Sequence, residues 1–459
     1  MVVYRDETKR RLRWITYILS VFIFTSSLPT AFAQGIEIPA IPGITGFGAD
    51  TVAGSGRHLS PPHATLFVIN NLADAGKGSL RECAEGFQPR TCLFEVGGEI
   101  KLTKMIRIRS PYITIAGQSA PGSGIVITQA GIAIQTHDVL IQHIAIRPGD
   151  STAGAKAIDR DGISIGNERS EAAYNVVLDH LSLTSAVDEN LSTAYLGTRD
   201  VTIRGCIIAE GLHRSIHPKG PHSKGILIGD GSRRITLMRN LIAMNEERNP
   251  YLKPGTSVEF INNAVFGWGE RAPSSLCNLT NNTGDVEPVS LSFIGNVFRK
   301  SKSSYRGSPV YAKRLSAASQ VFARDNIGPS QSEPYSDDWE ATSLPGGCCR
   351  AVTPPLSSAP SINLPSTSVW EAVLRSAGSH PARRFQQDSR IIEETRSLSG
   401  EIKDCVEGCE RPTGREVLSD TYRLLSIPSK PFEDSDKDGY TNLEEWLQTM
   451  SLLAEGREV

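Results

Sequence analysis

Six eight-residue segments between residues 139 and 298 share one pattern: "VLIQHIAI", "VVLDHLSL", "VTIRGCII", "ITLMRNLI", "VEFINNAV" and "LSFIGNVF". Each alternates or clusters β-branched and apolar residues, as a buried strand does. Helical periodicity is nearly absent between them. Aligned by their starts, they place Asn240, Asn263 and Asn296 at one position, and Asn326 in "VFARDNIG" extends the row. Ile144, Leu181 and Cys206 hold that position in the earlier segments. Successive members lie 23 to 37 residues apart. Irregular repetition at this scale points to a solenoid, with one β coil per repeat and insertions placed in loops. Asn suits a recurring tight bend because it tolerates left-handed backbone and bonds locally. Stacked Asn amides can also bond along the coil axis. A β-sandwich with Asn turns is the competing architecture, and the lack of regularly spaced hairpin turns weighs against it.

A solenoid needs covered ends. "GSLRECAEGF", residues 78 to 87, has a Ser N-cap with Glu three residues on, which predicts a short helix over the first coil. Beyond residue 330 the pattern gives way to a Pro/Ser-rich loop and then to "SVWEAVLRSAG", which reads as a helix. The expected organisation is a signal peptide over 1–33 and a solenoid over 34–330. An irregular tail packed on it over 331–430 and a C-terminal segment over 431–459 complete the chain. The signal reading rests on Lys9, Arg10, Arg11 and Arg13, the apolar "WITYILSVFIF", and "AFA" before Gln34. An uncleaved anchor is the alternative. Loss of residues 1–33 removes five Lys/Arg and two Asp/Glu and takes the formal charge from −2 to about −5. That balance weighs against a general nucleic-acid binder, which needs a basic face, and leaves room for a local basic groove. The eight cysteines suit an oxidising compartment. Cys83 and Cys92 flank a short turn and are the first expected disulfide, with Cys405 and Cys409 the second. Cys206 sits in an apolar strand and reads as a buried free thiol. The pairing of Cys277, Cys348 and Cys349 stays open.

The chain also resembles a known family. "PGITGFGADTVAG", "GKGSLREC", "LFEVGGEIKL" and "YITIAGQSAPGSGI" are similar to the opening of secreted bacterial pectate lyases of polysaccharide lyase family 1. "NVVLDHLSLTSAVDENLS", "IIAEGLHRSIHPKGPHSKGILIG" and "RNPYLKPGTSVEFINNAVFGWG" resemble the centre, and "VWEAVLRSAGSHPARR" and "DGYTNLEEWL" the end. The resemblance runs in order over most of residues 40 to 447. It implies an all-β, right-handed single-stranded parallel β-helix of the pectin lyase-like type, with a short N-terminal capping helix and an irregular or helical tail. The implied activity is Ca²⁺-assisted β-elimination of polygalacturonate. The implied partner is acidic plant cell-wall pectate, met by a monomer secreted or held in the periplasm, with no membrane contact after signal cleavage.

Elimination from a uronate needs a cation on the carboxylate, a base for the C5 proton, and positive groups to hold neighbouring sugars. Ca²⁺ takes hard oxygen ligands. By resemblance, Asp161 in "DRDGISIG" takes the first calcium position and Asp188 with Glu189 in "AVDENLS" the next. Here the two acids are adjacent, whereas the best-known members have acids four residues apart. A turn role for Asp161 and a solvated loop for Asp188 and Glu189 are the alternatives, while Asp179 reads as a structural strand residue. Lys224 in "PHSKGILIG" matches the family's substrate lysine by spacing, and Lys219 competes with it. His213, His217 and His222 crowd the same stretch and read as groove-lining or hydrogen-bonding residues, with His217 and His222 expected at the substrate; a metal is the alternative, for which spacings of four and five on a loop are weak evidence. In "RNPYLK", Arg248 takes the place of the catalytic arginine of the R-x-P-x-x-R motif, and Lys253 stands where the second arginine would be. An ion pair with Glu246 or Glu247 is the other role open to Arg248. An arginine base requires a lowered guanidinium pKa, hence alkaline activity. Near the C-terminus, "DSDKDGYTNLEE" places Asp434, Asp436, Asp438 and Glu445 at positions 1, 3, 5 and 12 of a calcium loop. A metal-free acidic turn is its alternative. A non-catalytic β-helix that binds cell-wall polysaccharide is the rival to a lyase.

Overall fold

The structure is a computed structural model that describes residues 38–166, 168, 172–229, 231–271, 273–276, 287–312, 315–358 and 364–458. The expected signal segment 1–33 and Cys277 lie outside the described residues.

The chain winds as a right-handed parallel β-helix whose three faces hold ten, nine and eight parallel strands among the described residues. One further two-residue strand, Thr421–Tyr422, runs antiparallel along Val96 and Gly97 at the N-terminal end. The repeated segments form the first face. Ile141, Leu178, Ile203, Leu237, Phe260 and Phe293 stack in register there, and all are buried. Phe260 and Phe293 lie nearly parallel with centroids 5.7 Å apart. Each such side chain contributes roughly 1.5–3 kcal/mol by leaving water. The inward positions therefore build one long core rather than a set of small ones.

The Asn row does bond along the axis. Nδ2 of Asn240 donates to Oδ1 of Asn263 at 3.0 Å, Asn263 to Asn296 at 3.2 Å, and Asn296 to Asn326 at 3.0 Å. Each Oδ1 also accepts from the backbone N–H of the row residue one coil earlier, at 2.9 to 3.0 Å. The second N–H of each amide reaches a strand carbonyl, Ile203, Leu237, Phe260 or Phe293. The left-handed bend expected at the Asn itself lies one residue earlier. His143, His180, Gly205, Arg239, Asn262, Gly295 and Asp325 all have φ between 51° and 67°. The bend turns the chain, and the Asn that follows satisfies the backbone groups the bend exposes. Gly205 is glycine for a second reason, because a Cβ there would meet the His180 ring at 2.9 Å.

Other segments cover the coils. Helix α1 (Leu80–Ala84) caps the first coil, with Ser79 Oγ accepting from Glu82 N at 3.2 Å. It is shorter than the 78–87 window. The Cys83–Cys92 disulfide ties it to the following strand. Cys405 is bonded to Cys409 and Cys348 to its neighbour Cys349, while Cys206 is a buried free thiol. Helices α2 (Ser366–Ser376) and α3 (Gln386–Arg396) set Val369, Val373 and Ile391 against Ile207, Leu241 and Val297 on the third face. Helix α4 (Asn442–Glu455) packs Leu443 and Leu447 on Leu93 and Ala116. No helix among the described residues is long and apolar enough to cross a membrane.

Buried imidazoles fasten this tail to the coils. His143 meets Ser379 O through Nδ1 at 2.7 Å and Ser451 Oγ of α4 through Nε2 at 2.5 Å. Burial, then His180, pushes His143 down to about 4, against the opposing pull of Asp179 and Glu455. Burial, then His143, pushes His380 down to about 3. The unfolded chain takes up these protons near pH ~6.5, whereas the folded chain resists until far lower. Stability is therefore expected to fall as the pH drops from about 6.5 towards 4. Denaturant midpoints measured across that range should decline less steeply in His143→Gln than in the parent chain.

Candidate active site

The second face brings four sequence-distant charges into one row. Glu189 opens the strand Glu189–Thr193, and it lies in register with Lys224, which opens Lys224–Ile228 on the next coil. Lys224 in turn bridges to Glu247 on the coil after that. The side chains follow the backbone. Lys224 Nζ is ion-paired with Glu247 Oε1, and Glu247 Oε2 accepts from Arg271 at 2.7 Å. Burial works to raise the Glu247 carboxyl, but Lys224 and Arg271 overcome it and hold the group below its ordinary range.

Arg248, the next residue, has φ 66° and precedes a cis Asn249–Pro250 bond. Its guanidinium is ion-paired with Glu189, two coils back, and lies 5.9 Å from the centre of the Tyr251 ring. The partner of Arg248 is thus neither Glu246 nor Glu247. Glu246 instead accepts from the Glu270 N–H at 3.3 Å. Burial pushes the Arg248 guanidinium down from its ordinary value, while Asp188, Tyr251 and Asp161 push back. Coil-to-coil approach is tight here. A Cβ on Gly225 would meet the Arg248 carbonyl oxygen and Asn249 Oδ1 at 2.6 Å each.

Asp161, Asp188 and Glu189 converge, with one carboxylate oxygen of each within 4.8 Å of the others. Adjacent acids on one strand can point apart, but the turn at Asp188 brings this pair to the same place as Asp161. The Glu189 N–H also donates to Asp161 Oδ1 at 3.1 Å. Burial and the nearby charges of Asp188 and Asp159 push the Asp161 carboxyl well above the carboxylate range, against Arg248. Crowded like charges with hard oxygen donors are a set that a Ca²⁺ ion fits and relieves. Asp179 lies apart from them, fully buried, where it accepts from Arg204 at 2.7 Å and Gln142 at 2.9 Å.

The remaining expected residues fall unequally. Lys219 is exposed on the turn after His217, outside the charge row. Lys253 is partly buried behind the strand Tyr251–Leu252, its N–H donating to Ile228 O at 2.9 Å. His213 sits by Asp404 at 3.6 Å and not with the other two histidines. The rings of His217 and His222 stack with centroids 3.5 Å apart, and both face Asp188. His217 is only 4% exposed, and a 3.4 Å approach to Asp188 rather than open surface marks its surroundings. At the C-terminus, Asp434, Asp436 and Asp438 gather oxygens within 4.8 Å, and Glu445 lies in the first turn of α4.

A second Asn row, absent from the segment alignment, sits directly under these charges. Asn190 Nδ2 donates to Asn245 Oδ1 at 3.0 Å, and Asn245 Nδ2 donates to Asn249 Oδ1 at 3.0 Å. Asn190 and Asn249 are the chain neighbours of Glu189 and Arg248, so the row fixes the backbone beneath both. "DEN" and "NEERN" carried the signal, but only a register between coils reveals it.

No family model matches the chain. It is 36% identical over 242 residues to a probable pectate lyase C of Neosartorya fischeri, covering 52% of this chain and 50% of that protein. Over 253 residues it is 36% identical to a probable pectate lyase C of Aspergillus oryzae, covering 55% and 51%. The chain thus spans about half the length of these curated relatives. Both are fungal, which gives no support to the bacterial qualifier of the resemblance. Among solved structures, the major cedar pollen allergen jun a 1 matches with a TM-score of 0.51 at 15% identity, over 73% of this chain and 92% of that one. A pectate lyase bound to hexasaccharide matches with a TM-score of 0.50 at 14% identity, over 76% and 100%. These likenesses establish the β-helix architecture.

The two Asn rows differ in what they support. Asn245→Ala and Asn263→Ala each strand buried backbone groups and are expected to cost about 2 kcal/mol or more in stability. Calorimetric titration with Ca²⁺ should show weakened binding only for Asn245→Ala.

Proposed function

We propose that the chain is an exported polyuronate lyase that cleaves pectate by β-elimination, with Ca²⁺ held by Asp161, Asp188 and Glu189. The observation that carries this reading is the contact of Arg248 with Glu189, which sets a half-buried guanidinium against a converging acidic set. The names of the fungal relatives agree with it. When bound, Ca²⁺ would neutralise the uronate carboxylate and stabilise charge building beside it. Arg248 takes the C5 proton; the freed electron pair closes the C4–C5 double bond as the C4–O bond breaks, and the departing oxygen is protonated from solvent. Lys224 holds a neighbouring carboxylate as a point charge by exchanging Glu247 for it. Lys253 serves an adjoining subsite.

Arg248→Lys should reduce kcat at least ~100-fold, read as ultraviolet absorbance of the unsaturated uronide. Retained activity would remove Arg248 from the reaction. Because an arginine base acts only when deprotonated, the parent rate should rise with pH above neutrality. A second reading, a polysaccharide-binding β-helix without turnover, draws on the pairing of both Arg248 and Lys224 with the chain's own carboxylates. Binding to polygalacturonate without new absorbance would establish it.

The C-terminal loop is the second calcium site in this reading, with Asp434, Asp436, Asp438 and Glu445 as ligands that brace the start of α4. A chelator should lower the thermal midpoint of the parent chain, and by less in Asp436→Asn.

A further inference from the structure

Two imidazoles and one carboxylate meet in a way that hydrogen bonding of neutral rings does not satisfy. His222 Nδ1 lies 3.2 Å from Pro221 O, and its Nε2 lies 3.2 Å from Asp188 Oδ1. Both neighbours are oxygens that only accept. A neutral imidazole carries one N–H and one lone pair. Whichever tautomer His222 adopts, one ring lone pair faces an oxygen lone pair. His217 shows the complementary defect. Its Nε2 is buried and makes no hydrogen bond, although it lies 3.4 Å from Asp188 Oδ2. That spacing is ion-pair distance without hydrogen-bond geometry. The His217 side chain has no exposed surface, so bulk solvent does not reach it. One ring nitrogen of each histidine and a carboxylate oxygen of Asp188 lie within 4.8 Å of one another, and both Nε2 atoms approach that carboxylate.

We propose that Asp188, His217 and His222 form a binding site for a divalent transition-metal ion of the zinc class. Two imidazole nitrogens with one carboxylate are a borderline-soft donor set, which zinc-like ions take and Ca²⁺ does not. The lone pair of His222 Nε2 then meets a cation, with its Nδ1–H held by Pro221 O as the outer partner that orients the ring. His217 ligates through Nε2 once its ring proton sits on Nδ1, which gives up the 3.2 Å contact from the Lys219 N–H. Three protein ligands leave the fourth tetrahedral position to a solvent oxygen. Asp188 is shared with the acidic set, but the site stands whether or not the chain is a lyase.

The test is a titration of the tag-free full chain with Co²⁺ alone, followed by visible absorption. Four-coordinate Co²⁺ absorbs strongly, whereas Co²⁺ held by six oxygens at a calcium-type site absorbs weakly. The parent chain is expected to give the strong band at one Co²⁺ per chain and to lose it on addition of Zn²⁺. His217→Gln and His222→Gln should each abolish the band while far-ultraviolet circular dichroism stays that of the parent. If either variant misfolds, Asp188→Asn replaces it with the same expected loss. No strong band in the parent chain would overturn the proposal and leave His222 as a protonated partner of Asp188. A band that survives both His substitutions would overturn it equally.

Discussion

Every coil of this solenoid must satisfy the backbone groups exposed where the chain bends out of its first face, and from Asn240 to Asn326 a buried amide does so. A left-handed residue turns the chain, and in the row the next residue is an Asn whose carbonyl accepts from the preceding coil and whose N–H groups donate to that coil and to the following one. Such groups left unpaired would each cost about 1–3 kcal/mol. Four successive Asn residues remove that cost together, in a chain of amides that polarise one another. The in-register aliphatic and aromatic stack follows, because fixed bends hold the strands at one height. Where the row gives out at its N-terminal end, Cys206 substitutes. Its thiol accepts from Leu181 N at 3.4 Å, and its own N–H still reaches Asn240.

Much of this was legible in the sequence, since the repeated segments share both a length and an Asn position. The residue that takes the left-handed bend was not, because His143, His180 and Arg239 carry no mark that distinguishes them from ordinary strand-end residues. The candidate site was legible as a set of residues and not as a set of pairs. Arg248 looked towards Glu246 and Glu247, its sequence neighbours, yet its partner comes from 59 residues away. Coils of unequal length hide such pairings, since the register that joins Glu189, Lys224 and Glu247 depends on loops whose lengths follow no period. The second Asn row escaped for the same reason.

Charge balance at the site has a physical consequence of its own. Acids and bases alternate from coil to coil, so each cation is already neutralised when no polymer is present. Acidic residues still outnumber what these cations can offset around Asp161, whose carboxyl is driven towards its neutral form. Under the proposed function, such a row does not attract a polyanion by itself. Attraction then has to be supplied by a cation delivered to the acidic cluster, which would link ion occupancy to polymer affinity.

The amide row also bears on how such a chain can change length. Each carbonyl of the row accepts from the coil on its N-terminal side, and Asn240, Asn263 and Asn296 each donate one N–H to the next Asn, so any coil carrying the Asn presents the same two surfaces as its neighbours. A whole coil inserted or deleted within Asn240–Asn326 would leave the seam unbroken. Beneath the charges, Asn245 and Asn249 belong to a single bend and the row has no such modularity. Growth by duplication is therefore open to one side of this molecule and closed to the side that carries the candidate site.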